Sequence, residues 1–85
     1  MPSILLVDDD ADIRLLLRKL LVDEGFVVHT AHDGRHALHL LEKIDPPSVI
    51  LLDYRMPVMD GKHCLAAIRR NTRLQRIPVV LLSAW

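Results

Sequence analysis

The chain has 85 residues, 51% of them hydrophobic, and its eleven basic and eleven acidic side chains leave no net charge. A chain of this length forms at most one small domain, and the charge balance argues against a general binder of nucleic acid or anionic membranes. The single cysteine excludes an internal disulfide, and no apolar run approaches the roughly 18 residues that cross a bilayer, so we expect a cytoplasmic protein.

Residues 3–8 form the first short apolar run of the chain, and this run ends in acid. An apolar run without polar alternation predicts a strand that is buried on both faces, as in a parallel sheet covered by helices. Asp8 and Asp9 then stand at the carboxyl end of this first strand.

A helix follows the first strand and runs to about Glu24, where Gly25 stops it. Asp10 or Asp12 is suited to cap its N-terminus, because the helix dipole favours carboxylates there. One face of the helix carries apolar side chains at helical spacing, namely Ile13, Leu16, Leu17, Leu20 and Leu21.

Residues 26–30 predict a second strand, which we place at the sheet edge because it carries polar side chains. Asp33-Gly34 opens the next helix, at about 35–43, whose inward residues are predicted to be Ala37, Leu38 and Leu41. Four histidines lie close together in this region, namely His29, His32, His36 and His39. Their spacing fits either a metal site or a solvated surface. The surface is favoured, because His36 and His39 fall on the helix side away from the inward residues.

Residues 48–52 form another apolar run, which ends on Asp53. In open α/β sheets, ligands bind in the crevice beyond the carboxyl ends of the strands, so an acid placed there is a candidate site residue. Pro57 bars a helix in the loop that follows, and Asp60 is suited to cap a third helix at about 61–71. This helix is predicted to bury Leu65, Ile68 and Cys64.

A fourth strand is predicted at residues 77–82, with Ser83 at its end. Four arginines precede this strand, and their cluster is interpreted as a solvated face: Arg69, Arg70, Arg73 and Arg76. Because strands and helices alternate with short connections, the sequence predicts an α/β fold with a doubly wound parallel sheet.

Two segments of the chain, VDDD at residues 7–10 and LLDYRMPVMDG at residues 51–61, resemble the receiver domain of two-component response regulators. They carry the family's acidic pair, its phosphoacceptor aspartate, and the Met-Pro and Asp-Gly of the loop that follows. The resemblance implies a flavodoxin-like sheet over residues 1–85. It also implies an incomplete domain, truncated to about four strands and three helices, without the family's fourth helix, fifth strand and fifth helix.

In the flavodoxin-like strand order the first and third strands are neighbours, which brings Asp8, Asp9 and Asp53 together. Three carboxylates this close repel one another and therefore require a cation, and oxygen ligands with room for water suit Mg²⁺ better than Zn²⁺. By resemblance, Asp9, Asp53 and the backbone carbonyl of Arg55 ligate the metal directly, whereas Asp8 acts through water.

The resemblance also implies the reaction and the partner. Asp53 is the nucleophile that accepts a phosphoryl group from a sensor histidine kinase or a phosphotransfer protein, and the hydroxyl of Ser83 donates a hydrogen bond to that group. The first helix of the family contacts the phosphodonor. Leu15 and Val22, on the far face of that helix, are therefore either a docking stripe or scattered surface apolar residues, and the surface interpretation is favoured.

Two other functions stay open. The pattern Asp8-x-Asp10 after a strand superficially matches the paired aspartates of haloacid-dehalogenase-like phosphohydrolases, but that family expects Thr or Val and then Gly soon afterwards, and the match leaves Asp53 unexplained. Alternatively, the chain is an interaction or dimerisation module that has lost phosphosignalling. The sequence lacks the family's essential lysine and switch aromatic, so a phosphorylated form of this chain is expected to be long-lived or functionally silent.

The fourth strand also bears on assembly. In the family's strand order, residues 77–82 form an apolar edge strand with no neighbour on one side, and such an edge is a template for pairing with another chain. We therefore expect a homodimer, with Trp85 as a participant.

Overall fold

The computed structural model describes residues 2–82, so the predictions for Ser83 and Trp85 lie outside the described residues. Strands and helices alternate as β1 (Ser3–Val7), α1 (Ala11–Asp23), β2 (Val27–Ala31), α2 (Gly34–Leu41), β3 (Val49–Asp53), α3 (Gly61–Arg70) and β4 (Val79–Leu82). All of these elements were predicted from the apolar runs and capping residues. None of the helices in residues 2–82 is long and apolar enough to span a membrane.

The four strands form one parallel sheet in the order β2-β1-β3-β4. The predicted flavodoxin-like α/β fold is therefore confirmed for this part of the chain. In the register between the two central strands, Val7 pairs with Leu52. The residues that follow these two strands consequently leave the sheet side by side, and this adjacency positions the candidate site.

The main core lies between one face of the sheet and the helices α2 and α3. Alternate residues of the central strands point into it, as expected for a pleated strand, and α2 and α3 contribute inward positions at helical spacing. Its buried members are Leu5, Val7, Ala31, Ala37, Leu41, Ile50, Leu52, Cys64, Ile68, Leu74 and Ile77. Full burial of each large aliphatic side chain stabilises the fold by about 1.5–3 kcal/mol.

Helix α1 lies on the other face of the sheet, where its apolar face is only partly covered. None of its residues is buried, and three residues of its apolar face are about half exposed: Ile13 at 45%, Leu16 at 57% and Leu20 at 53%. The helix packs on β2 and β1, and no second helix within residues 2–82 lies beside it on this face. The apolar pattern therefore predicted the helix correctly, while the exposure of its apolar face depends on the neighbouring elements.

All four arginines of the predicted solvated face are exposed, and two of them also contact backbone carbonyl groups. Arg69 Nη1 donates hydrogen bonds to the carbonyls of Gln75 and Ile77, at 2.8 and 2.9 Å. Arg73 donates to the carbonyls of Leu41 and Ile44, at 2.7 and 2.5 Å. Because the last carbonyls of a helix have no helical partner, Arg73 completes the end of α2 and ties it to the α3–β4 connection.

We predict that Arg73→Ala lowers the free energy of unfolding by about 1–2 kcal/mol, because it removes two hydrogen bonds from a charged donor. Urea denaturation monitored by circular dichroism measures this change. The matched control is Arg76→Ala, since Arg76 donates no side-chain hydrogen bond within residues 2–82. Equal stability of the two variants would contradict the role assigned to Arg73.

Candidate functional site

Three carboxylates meet at the carboxyl ends of β1 and β3. Asp8, Asp9 and Asp53 each offer one oxygen atom, and these three atoms lie within 4.8 Å of one another. Asp8 and Asp9 follow the last residue of β1, and Asp53 is the last residue of β3. The parallel pairing of the two strands therefore produces the convergence that the sequence predicted.

The acids of this cluster differ in their access to solvent. Asp8 and Asp53 are each only 7% exposed, whereas Asp9 is exposed. Asp8 is fixed in place by two contacts, because its Oδ1 accepts a hydrogen bond from the backbone N–H of Asp10 at 2.9 Å and its carbonyl accepts one from Arg14 Nη1 at 2.8 Å. The cluster thus has two rigid, buried members and one member at the surface.

The electrostatics of the cluster favour a bound cation. Burial raises the pKa of Asp53, and the negative charges of Asp8 and Asp9 raise it further, while a hydrogen bond from the Arg55 backbone N–H to Asp53 Oδ1, at 3.3 Å, opposes these effects. A carboxylate with a raised pKa holds a proton more readily than usual. A divalent cation can replace that proton and offset the repulsion among the three acids.

All three acids of the cluster line a cavity of about 340 Å³, and Asp9 and Arg55 also line a neighbouring cleft of about 400 Å³. The β3–α3 loop supplies most of the walls of the cleft. The lining residues are Asp9, Tyr54, Arg55, Met56, Pro57 and Asp60. All direct candidates for metal ligation are hard oxygen atoms, and the exposed position of Asp9 leaves room for water, so the donor set fits Mg²⁺.

The β3–α3 loop folds back closely on the end of β3, and Gly61 makes this possible. The Gly61 N–H donates to the carbonyl of Tyr54 at 2.9 Å. A Cβ atom at position 61 would lie 2.8 Å from the Cα of Tyr54 and would also collide with the carbonyl oxygen of Asp53. A side chain at this position would therefore displace the backbone that carries the cleft.

A tight turn at Val58 shapes the same loop. The N–H of Met59 donates to the carbonyl of Pro57 at 2.7 Å, and Val58 between them has a φ of 68°. This combination is a γ-turn with a β-branched residue in the left-handed region, which is a strained arrangement. The carbonyl of Met59 in turn accepts a hydrogen bond from the N–H of Gly34, at 3.2 Å, so the loop is anchored to the start of α2.

Other predicted acids have structural roles. Asp10 caps α1 by accepting hydrogen bonds from the backbone N–H groups of Asp12 and Ile13, at 3.0 and 3.2 Å. Asp60 caps α3 by accepting one from the backbone N–H of His63 at 2.9 Å. These two acids lie outside the cluster of Asp8, Asp9 and Asp53, and their contacts agree with the capping roles that the sequence assigned to them.

The histidines do not form a metal site within residues 2–82, where the one group of three or more potential ligands is the aspartate cluster. Sequence reasoning missed Arg14, whose guanidinium holds the carbonyl of Asp8. Its position in the first turn of α1, next to the acidic strand end, was the available signal. Sequence reasoning also missed Tyr54, which lines the cleft.

The chain is similar to known proteins in both sequence and structure. A family model described as the response regulator receiver domain matches residues 4–85. The chain is 43% identical over 82 residues to the regulatory protein AtoC of Escherichia coli, covering 96% of this chain and 17% of AtoC. It is 45% identical over 84 residues to the transcriptional regulatory protein CpxR of Escherichia coli, covering 99% of this chain and 34% of CpxR.

Solved structures give the same result. The chemotaxis response regulator CheY4 of Vibrio cholerae matches with a TM-score of 0.90 and 37% identity, covering 95% of this chain and 67% of that one. The response regulator TrrA of Thermotoga maritima, solved in complex with Mg²⁺-BeF, matches with a TM-score of 0.88 and 32% identity, covering all of this chain and 71% of that one. The chain therefore spans about two-thirds of these structures, and a smaller part of AtoC and CpxR.

We predict that Gly61→Ala lowers the free energy of unfolding by about 1–3 kcal/mol, as expected for overpacking. It should also weaken Mg²⁺ binding, because the loop that carries Arg55 must shift. Urea denaturation and calorimetric Mg²⁺ titration measure the two effects. Ala66→Ser, on an exposed position of the same helix, is the control and should change neither. Unaltered stability and Mg²⁺ affinity in Gly61→Ala would show that the close approach is not required.

Proposed function

The chain belongs to the response regulator receiver domain family, and from this we propose that it accepts a phosphoryl group on Asp53 in a Mg²⁺-dependent reaction. The donor would be a sensor histidine kinase or a phosphotransfer protein. Its general function is phosphorelay signalling in two-component systems, which is a signalling role and not that of an enzyme acting on a small-molecule substrate.

The observation that carries this proposal is the approach of oxygen atoms of Asp8, Asp9 and Asp53 to within 4.8 Å of one another. An acidic group of this kind opposes the approach of an anionic phosphoryl donor unless a cation is present. Mg²⁺ would be held by Asp9, Asp53 and the backbone carbonyl of Arg55, with Asp8 acting through water. When bound, the ion would offset the charge of the carboxylates and of the incoming phosphoryl group.

The remaining chemistry is assigned to Asp53. One of its oxygen atoms accepts the hydrogen bond from the Arg55 backbone N–H, which fixes the orientation of the carboxylate and leaves the other oxygen available for attack on phosphorus. The new O–P bond forms as the P–N bond to the donor imidazole breaks, and the electron pair of that bond returns to the imidazole nitrogen. The product is an acyl phosphate on Asp53. Ser83 is proposed to donate a hydrogen bond to its phosphoryl oxygen.

The pKa of Asp53 sets a limit on this reaction. The nucleophile is the ionised carboxylate, and burial together with the neighbouring acids raises its pKa above the ordinary value. As the pH falls through that raised pKa, protons compete with Mg²⁺ for the same oxygen atoms. On acidification, phosphoryl acceptance should therefore begin to weaken at a higher pH than it would for a solvated aspartate.

The geometry argues against the haloacid-dehalogenase alternative. That mechanism requires both Asp8 and Asp10 in the site, but the Asp10 side chain is engaged in capping α1. It also gives no role to Asp53, which is central to the cluster. We therefore assign signalling as the function, acting in the cytoplasm, and place no nucleic-acid or membrane contact on this domain.

We further propose that residues 1–85 correspond to the part of the receiver fold that contains four strands and three helices. Support comes from the coverage of the matched structures, 67% for CheY4 and 71% for TrrA, and from the half-exposed apolar face of α1. A receiver lacking the remaining elements would be an incomplete domain.

A homodimer of the 85-residue chain is also proposed. Strand β4 has β3 as its neighbour on one side, and two of its residues are considerably exposed, Val80 at 47% and Leu81 at 41%. These two residues lie on opposite faces of the strand, so a second copy can pair edge to edge with β4 or pack on the apolar face of α1. Both arrangements are compatible with two-fold symmetry.

We predict that Asp53→Asn abolishes labelling by a small acyl-phosphate donor, because the amide is not a nucleophile for phosphorus. Asp9→Asn should retain folding and weaken Mg²⁺ binding. The control is Asp23→Asn, at the exposed end of α1, which should match the unaltered chain in both assays. Mass spectrometry of the acyl phosphate and calorimetric Mg²⁺ titration give the readouts. Label on Asp53→Asn would disprove the assignment of the nucleophile.

We predict that Val80→Lys shifts the chain from dimer to monomer at micromolar concentration, since a lysine on an edge strand opposes pairing. Light scattering measures the mass. The matched control is Val27→Lys, which places the same charge at a similarly exposed position, 41%, on the opposite edge strand. A folded monomer before any substitution, or dissociation by Val27→Lys alone, would refute the proposed contact.

A further inference from the structure

The β2–α2 turn contains a histidine pair that the phosphorylation chemistry does not use. The backbone N–H of His32 donates a hydrogen bond to the Nδ1 atom of His36 at 3.1 Å. The two imidazole rings lie against each other with a centroid distance of 4.2 Å and an angle of 38° between their planes. His36 is half-buried, whereas the ring of His32 is largely exposed.

Asp33 connects the pair to the start of α2. Its Oδ1 accepts a hydrogen bond from the backbone N–H of His36 at 2.8 Å, and its Oδ2 lies 3.1 Å from Nδ1 of His32. Asp33 is only 8% exposed, and its contacts with His36 and His32 lower its pKa. The carboxylate therefore stays ionised over the range in which a histidine titrates, and it serves as the fixed N-cap of α2.

The hydrogen bond between His32 and His36 exists in one protonation state only. Nδ1 of His36 accepts a proton from a backbone N–H, so this nitrogen must carry its lone pair and the imidazole must be neutral. Protonation of His36 converts the acceptor into a donor and places two N–H groups opposite each other. The turn cannot keep its present geometry when His36 is charged.

Charged and titratable groups face His36 from several elements. Arg14 faces it from α1, His32 from the turn and His39 from one turn further along α2, while Asp33 is the opposing negative charge. On α3, the nearby thiol of Cys64 is neutral, because burial raises its pKa to about 11. Burial is the main cause that lowers the pKa of His36, the proximity of His32, Arg14 and His39 lowers it further, and the Asp33 carboxylate opposes these effects.

We propose that His36 is a pH-sensitive latch on the β2–α2 turn, closed while its imidazole is neutral and released when the imidazole is protonated. Release would free the backbone N–H of His32 and place a new positive charge facing Arg14. Arg14 also donates a hydrogen bond to the carbonyl of Asp8, at 2.8 Å. Opening of the latch would therefore change the contacts of the β1–α1 connection next to the acidic cluster. The proposal does not rest on the phosphorylation of Asp53.

The sign of the effect follows from linkage. Since the pKa of His36 is lowered in the folded chain, the unfolded chain takes up this proton first as the pH falls. The contribution of the neutral histidine to stability is fully present above the ordinary histidine pKa of about 6.5. It is lost progressively as the pH falls below that value. The latch is therefore closed at neutral pH and opens on acidification.

The test is a ¹⁵N and ¹³C NMR titration of the 85-residue chain from pH 7.5 to pH 5. We expect the imidazole nitrogens of His36 to report protonation with a midpoint below 6.5, and the His32 amide proton to shift with the same midpoint. Hydrogen-exchange protection of that amide should fall by about tenfold, as for the loss of one hydrogen bond. The carbonyl carbon of Asp8 should shift in parallel if Arg14 transmits the change.

Two variants separate the latch from general acid effects. His36→Asn places an amide oxygen where Nδ1 now accepts, and this acceptor does not titrate, so the shifts of the His32 amide and the Asp8 carbonyl that follow the His36 midpoint should disappear. His39→Asn, on the same helix and largely exposed, should leave both shifts as they are. An unshifted His32 amide in the unaltered chain, or an unchanged profile in His36→Asn, would overturn the proposal.

Discussion

Parallel pairing of β1 with β3 brings oxygen atoms of three carboxylates within 4.8 Å of one another, where their negative charges repel. Both strands lead into these acids through an apolar run, so the core beside the acids supplies no positive charge to offset theirs. The pairing register, Val7 opposite Leu52, determines where they meet. The remaining features of the site, including the raised pKa of Asp53 and the affinity expected for a divalent cation, follow from this placement.

The loop after β3 is held against the carboxyl end of the sheet, next to these three acids. Gly61 lets the backbone return against the end of β3, and the strained turn at Val58 directs Met59 toward Gly34 at the start of α2. The walls of the cleft are thus fixed by contacts with two different helices. The strain of the turn is offset by these contacts, because a tight turn of this kind persists only where the surrounding structure holds it.

The sequence predicted those features that depend on local pattern. Apolar runs identify the strands, capping aspartates identify the helix starts, and the acids at strand ends identify the site. Each of these features depends on residues that are neighbours in the chain, so a local pattern is enough to predict it. Burial of α1 could not be predicted in this way, because the exposure of Ile13 and Leu16 depends on which other element lies beside the helix. The contacts of Arg73 were equally inaccessible, since its carbonyl partners are 29 and 32 residues away in the chain.

Cys64 lies on α3 with its side chain fully buried in the core, near the carbonyl of Gly34, and burial raises its pKa to about 11. A thiol in this state is not ionised at neutral pH, so it reacts slowly with alkylating agents and oxidants. It is also the sole cysteine of the chain. Spectroscopic labels can therefore be attached to a pair of cysteines introduced on the surface while Cys64 remains in place. The distances between the two labels would report the motions of the loops and helices around an unaltered core.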